Sequence, residues 1–459
     1  MTKDAGTTRD ASSGFGSSGN VTFVLFVADK RSANPGRFSS ALARVGTLPI
    51  SLRSILAAQK MHPARIVVVV DPTTKQSVQP NLVGRGRLAE SVEWIEVAAD
   101  APFEQRLRLV ASQTESQRLV LVDGNTSYHP SLIRKAMEWN DDDRALSLTS
   151  GERAIGIYAL SIDRLRDFRE LRRGELRTPG ELHASLRAID SLVSMDVSED
   201  LWQRVTTEED RRIAERKLDR WLVKPTDGLY ARFNRRISIP ISRQLIKLPI
   251  TANMVSLFTL GVGFFSAVFF ALGGYWNTLL GAFLCLFASI LDGCDGEVAR
   301  LKLLESDFGC WLETVCDYLF YLFLLVGMTI GQWRTSGSKA YLLWGGLLLL
   351  GAVGSFLAVG WERQRLAAGR PEQLLSIWQN HAESRSSNPF LYAARHLEFI
   401  VRRCFFPYAL LGFALLNIMN VAFLLSVIGA NVVWPVALYS SNIFAGARRA
   451  AVITPVASE

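Results

Sequence analysis

After residue 250 the chain is suited to a different solvent. Long apolar runs follow one another at 254–273, 276–291, 310–331, 341–360, 404–425 and 426–445, whereas before that point charge is dense and apolar runs are short. Most of the six come close to the roughly 20 residues that carry a helix across a 30 Å hydrocarbon core. A single soluble core has no use for six such segments in succession. An all-α, six-transmembrane-helix domain is therefore expected over 251–449, behind a disordered start (1–19), an α/β domain (20–222) and a juxtamembrane linker with an interfacial helix (223–250). Residues 450–459 are left as a tail.

Acids interrupt this apolar half in an ordered way. The segment Asp292-Gly293-Cys294-Asp295-Gly296-Glu297-Val298-Ala299-Arg300 is followed by Gly309, Glu313 and Asp317. Ionisable groups at membrane depth are costly, so they mark function by default. Asp292, Asp295 and Ala299 are spaced to share one helix face, and Glu313 and Asp317, four apart, share a face of the next helix. Two helices can thus aim two carboxylates each into one cavity. Four acids in a low dielectric repel one another unless cations intervene. A divalent ion is implied, and Mg2+ suits an all-oxygen site facing a diphosphate, with Mn2+ as its neighbour.

Basic residues set the expected orientation. Arg232, Arg235, Arg236, Arg243 and Lys247 precede the first span, seven arginines lie between 361 and 403, and Arg448 and Arg449 follow the last span. With six spans these regions share one side, which the positive-inside rule makes cytoplasmic. The reading is a multi-pass protein of the cytoplasmic membrane, with its N-terminal domain, active site and C-terminus facing the cytoplasm. The net charge of +8 suits anionic membrane lipids and phosphorylated substrates. No nucleic acid partner is expected, because no aromatic-interleaved basic patch is present. The start of the chain is polar and shows no signal peptide, and the five cysteines have no zinc-like spacing.

Residues 20–220 alternate short apolar strands with helical patterns. Val21 to Ala28, Ile66 to Val70, Val92 to Val97 and Leu119 to Val122 read as strands, and Pro49 to Lys60 and Pro102 to Gln113 as helices. That rhythm predicts a mostly parallel sheet covered by helices, with ligands at the carboxyl ends of its strands. Asp123, in Val122-Asp123-Gly124-Asn125, is the carboxylate at such an end.

The pattern from Asp292 to Asp317 resembles the CDP-alcohol phosphotransferase signature, D-x2-D-G-x2-A-R-x8-G-x3-D-x3-D, with Glu313 replacing the third aspartate. The resemblance covers roughly 225–449. It implies two metal ions carried by Asp292, Asp295 and Glu313, with Asp317 also in the metal cluster and acting as the base that takes the acceptor's proton. It further implies a cytidine pocket bounded by Gly296, Ala299 and Gly309, and a homodimer. Arg300 offers a planar donor fork to phosphate. Thr251-Ala252-Asn253 is similar to the family's entry motif, and Asn253 either caps the first span or bonds a pocket group. Arg235, Arg236, Arg395, Arg402 and Arg403 are candidates for the acceptor phosphate, with membrane anchoring as the other reading of the first two. His381 and His396 stay unassigned.

The resemblance implies transfer of a phosphoalcohol from a CDP-alcohol, of CDP-diacylglycerol or CDP-inositol type, to the hydroxyl of a lipid or polyol phosphate, with release of CMP. The alternative is a lipid- or nucleotide-binding platform whose soluble domain recruits partners. That soluble domain resembles the sugar-phosphate nucleotidyltransferase (GT-A) fold in Val122-Asp123-Gly124-Asn125 and in Leu201-Trp202-Gln203-Arg204. Lys224-Pro225-Thr226-Asp227-Gly228 resembles the junction in fused inositol-phosphate cytidylyltransferase and phospholipid-synthase proteins. Two departures predict that this half is a degenerate scaffold without cytidylyltransferase activity. Phe26 to Gly36 lacks the family's glycine-rich loop, and Arg204 stands where a second metal carboxylate is expected; arginine cannot ligate magnesium.

Overall fold

The structure, a computed structural model, describes residues 21–28, 40, 42–83, 92–114, 116–141, 143–163, 179–188, 192–224, 227–367 and 404–453. The chain divides into two compact units, essentially Met1–Leu222 and Val223 onward.

In the first unit the elements run β1 (Val21–Phe26), β2 (Arg44–Val45), β3 (Leu48–Pro49), α1 (Ile50–Gln59), β4 (Arg65–Val70), α2 (Pro72–Val83), β5 (Val92–Glu96), α3 (Phe103–Gln113), β6 (Arg118–Asp123), β7 (Thr126–Tyr128), α4 (Pro130–Glu138), β8 (Ala145–Ser150), β9 (Arg153–Ser161), α5 (Pro179–Ala188), β10 (Leu192–Asp196), β11 (Trp202–Arg204) and α6 (Glu208–Leu222). The main sheet has seven strands in the order β10-β8-β9-β6-β1-β4-β5. β1 pairs parallel with β4 and β6, whereas β9 runs antiparallel to β6 and β8. The sequences VTFVLF and RIVVVV are apolar nearly throughout because both sheet faces are covered. Phe23 and Leu25 enter one core, and Val24 and Phe26 the other. This is the mostly parallel α/β sheet that the strand rhythm predicts. It leaves the ends of β1 and β6 side by side, with Phe26 in register with Asp123.

The second unit opens with α7 (Leu229–Leu245), followed by α8 (Ala252–Leu272), α9 (Tyr275–Lys302), α10 (Asp307–Ser336), α11 (Ala340–Ala367), α12 (Phe406–Leu415) and α13 (Met419–Ile453). Thr251 caps α8 by accepting from Met254 N, and Ser306 caps α10 by accepting from Gly309 N. α10 stops at Gly337, which takes the left-handed conformation at φ 67°. α8 and α10 meet backbone to backbone: a Cβ on Gly327 would lie 2.3 Å from Ala267 O, and one on Gly331 2.0 Å from Phe270 O. Small residues permit such approach where no hydrophobic effect drives helices together in lipid.

Among the described residues, five helices, not six, are long and apolar enough to cross a membrane: Ala252–Leu272, Tyr275–Lys302, Asp307–Ser336, Ala340–Glu362 and Met419–Tyr439. They mark an integral membrane protein. The expected fifth span, 404–425, is divided differently: α12 holds 10 residues and the chain turns before Met419, where Asn417 adopts φ 55°. Asparagine tolerates that conformation better than most residues. The apolar run continues on both sides, so hydropathy places the break at 425/426 when it falls at 416–418.

Candidate active site

α9 and α10 bring the four predicted acids together. Asp292, Asp295, Glu313 and Asp317 line one cavity of about 110 Å³, whose wall also includes Ser256 and Thr259 of α8. Asp295 is buried; Ser256 Oγ donates to its Oδ2 at 2.6 Å, and Gly296 N–H donates to its Oδ1 at 2.5 Å. Thr259 Oγ1 is buried with no hydrogen-bond partner within the protein. Ser256 and Thr259 escape the sequence reading, although hydroxyls three apart in an apolar helix share a face and are a usable signal. Among the described residues, no three His, Cys, Asp or Glu side chains close into a ready-made metal site. The donor set is nevertheless four carboxylates with adjoining hydroxyls, which fits a hard, oxygen-seeking divalent cation.

The other predicted residues that the structure describes lie outside the wall of this cavity. Gly296 sits against Arg300, since a Cβ there would lie 3.2 Å from Arg300 Nη1. Arg300 Nε and Nη2 are buried without a hydrogen-bond partner, so the guanidinium has donors to offer. Asn253 does not cap α8, because Thr251 does. Its Oδ1 instead lies 3.4 Å from where a Cβ of Gly309 would stand, which puts these two predicted pocket residues side by side. Ala299 is half-buried on α9 and does not line the carboxylate cavity. Arg236 is exposed.

Arg235 is engaged within the protein: Nη1 donates to Glu297 Oε1 at 2.6 Å and to Gly293 O at 3.0 Å, and Nε donates to Asp227 Oδ2 at 3.3 Å. Burial works against its charge, but the two carboxylates outweigh burial and hold the guanidinium above its ordinary range. Arg395, Arg402 and Arg403 lie outside the described residues, as do His381, His396 and the 29–36 segment.

A second, apolar cavity of about 500 Å³ lies among α10 to α13, lined by side chains such as Phe356, Phe406, Leu410 and Val433. Tyr321 borders both cavities.

In the first unit, Asp123 stands at the carboxyl end of β6. Its Oδ1 accepts from Asn125 N at 3.0 Å and its Oδ2 from Thr126 Oγ1 at 3.1 Å. Gly156, at φ 92°, passes so close that a Cβ would lie 2.9 Å from Asp123 Cβ. Arg204 pairs with Thr126 across β11 and β7.

Four carboxylates on one cavity, and on α9 a guanidinium whose Nε and Nη2 lack protein partners, are chemistry suited to a phosphorylated substrate. Residues 249–369 match the family described as CDP-alcohol phosphatidyltransferase. That match covers α8, α9, α10 and α11, among them the helices that carry the four acids, and follows the α/β unit in the chain.

Similar proteins include the "Bifunctional IPC transferase and DIPP synthase" of Rubrobacter xylanophilus, 29% identical over 314 residues, covering 67% of this chain and 64% of that protein. The protein of the same name from Aquifex aeolicus is 30% identical over 222 residues, covering 48% of this chain and 47% of the relative. The chain spans about half to two thirds of the length of these curated relatives. Among solved structures, the inositol-1-phosphate CTP transferase from T. maritima overlays 44% of this chain and 98% of its own, at 14% identity and a TM-score of 0.35.

These relatives correct one expectation. The 314-residue match is longer than all of the chain from Val223 onward, so it extends into the α/β unit. The matched proteins are named for two activities. The expectation that the N-terminal half lacks cytidylyltransferase activity is overturned, because it weighed one arginine and one loop as if they were the whole cleft.

Proposed function

We propose that this chain both makes and uses a CDP-alcohol of the inositol type. The soluble half joins CTP and an alcohol phosphate, releasing pyrophosphate; the membrane half moves the alcohol phosphate onto a hydroxyl acceptor, releasing CMP. The observation that carries the second step is the convergence of four carboxylates from α9 and α10 on one buried cavity. Two-activity relatives and the strand-end Asp123 support the first.

Asp292, Asp295, Glu313 and Asp317 would hold divalent cations, two Mg2+ or Mn2+ by resemblance, and such ions neutralise diphosphate oxygens and ease departure of CMP. Asp317 takes the acceptor hydroxyl's proton on a carboxylate oxygen, which leaves the hydroxyl oxygen as the nucleophile that attacks phosphorus while CMP departs. Arg300 directs its unpartnered N–H groups at phosphate. Ser256 holds Asp295 in place, and Thr259 offers its hydroxyl to substrate. Gly296, Gly309 and Asn253 leave room for the nucleotide against the helix backbones. In the soluble half, Arg204 cannot ligate a metal but can neutralise substrate phosphate directly. The apolar cavity that shares Tyr321 with the acids favours an acceptor bearing an apolar chain over a second soluble polyol. A homodimer with its active site and both termini facing the cytoplasm completes the reading.

The purified protein is to be incubated with CDP-inositol, Mg2+ and either a lipid extract or polyol phosphates, with mass identification of both products. CMP is expected with the lipid extract, lost on chelation and reduced at least about 100-fold by Asp317→Asn, since a positioned base is worth roughly 10² to 10⁴ in rate. No CMP across a wide panel of CDP-alcohols and acceptors would leave the platform reading in its place.

A further inference from the structure

α9 carries a second polar face. Glu297 lies about 200° round the helix from Asp295 and about 140° from Asp292, at 100° per residue. Its carboxylate is 0% exposed, and one stripe of α7 supplies it with donors. Arg235 Nη1 and Ser238 Oγ donate to Oε1 at 2.6 and 2.5 Å, and Ser242 Oγ donates to Oε2 at 2.6 Å. Residues 235, 238 and 242 follow the i, i+3, i+7 spacing of a single helix face.

Arg235 spans one turn of α9, from Gly293 O to Glu297. A Cβ on Gly293 would lie 2.9 Å from Arg235 Nη1, so glycine is what lets the guanidinium lie there. Asp227 ties the same arginine back to the start of the unit, accepting from Lys224 N at 3.0 Å as well as from Arg235 Nε. The buried residues of α7 are Asn234, Ser238 and Ser242. A helix that docks through a polar stripe is held by directional bonds, and those fix rotation and register in a way that apolar contact does not.

We propose that Glu297 is a positioning residue for phosphotransfer: its bonds to Arg235, Ser238 and Ser242 set the rotation of α9, so that Asp292 and Asp295 face Glu313 and Asp317 across the cavity. The consequence for catalysis rests on the phosphotransfer reading; the latch itself does not. It also assigns Arg235 to the latch, leaving Arg300 as the guanidinium that meets phosphate.

The test uses the full-length protein in lipid nanodiscs, comparing wild type with Glu297→Gln and with Ser238→Ala/Ser242→Ala, which keeps the charge pair. Three quantities are read: kcat and KM for CDP-inositol, thermal melting, and amide exchange over residues 288–300 and 341–360. The expected result is a kcat lowered at least tenfold with KM within threefold, and faster exchange confined to 288–300. Rescue is expected from Glu297→Asp, to within about threefold of wild-type kcat. Folded variants with unchanged exchange over 288–300 and kcat within twofold would overturn the proposal. So would a loss of melting temperature with kcat per folded molecule unchanged, which marks a merely structural role. If Glu297→Gln does not fold, the serine pair decides. If the wild type releases no CMP, the phosphotransfer reading falls, while the exchange measurement still decides the latch.

Discussion

Glu313 is one methylene longer than the aspartate of the signature it resembles, yet it reaches the same cavity wall as Asp292, Asp295 and Asp317. Charge at this position is therefore expected to matter more than reach. Glu313→Gln is expected to lower CMP release at least about 100-fold by removing a cation's carboxylate, whereas Glu313→Asp is expected to stay within about tenfold; steady-state rates at saturating Mg2+ distinguish the two. These acids were legible because function forces a carboxylate where apolar chemistry would otherwise rule, and helical spacing then says which ones share a face. Glu297 was not legible. It sits within the same nine residues, but its partners are on another helix far back in the sequence, and nothing local distinguishes a latched acid from a cation-binding one. The bond from Arg235 to Glu297 was hidden for the complementary reason, since a basic residue before a membrane span looks the same whether it meets lipid, substrate or a buried glutamate.

At the scale of elements, strands and long helices followed from periodicity, while their ends depended on single side chains. α2 begins at Pro72 because Asp71 precedes it: Asp71 Oδ1 accepts from Thr74 N at 2.9 Å and from Thr73 Oγ1 at 2.5 Å. Burial alone would raise the Asp71 pKa, but these hydrogen bonds outweigh it and hold the carboxyl below its ordinary 3.8. A native value below the unfolded one means that the unfolded chain binds the proton more readily, so this contribution is fully present above about pH 3.8 and lost as pH falls through the native value. Asp71→Asn is expected to remove that pH dependence and Asp71→Ala to cost about 1 kcal/mol, read from amide protection over residues 72–83 in the full-length protein. The division of the apolar stretch from 404 to 445 was hidden because composition is uniform across it. Only the backbone at Asn417, φ 55°, records where the chain turns.

For the whole molecule, the proposal of two activities predicts that each can be removed without the other. Asp123→Ala is expected to abolish CDP-alcohol formation from CTP and inositol phosphate while CMP release from supplied CDP-inositol stays within twofold; Asp317→Asn is expected to do the reverse, and paired assays on the same preparations decide. Gly156, pressed against Asp123 in the left-handed region, ties that carboxylate's setting to the sheet, as the glycines of α10 tie the acids to α8. The polar stripe of α7 has a last consequence, for biogenesis. A glutamate entering a bilayer without donors is costly, and the three groups that receive Glu297 belong to a helix translated before it. The order of synthesis delivers the socket first, so α9 can lodge its acid as it inserts; moving α7 to the far end of the gene would keep each contact possible and remove that head start.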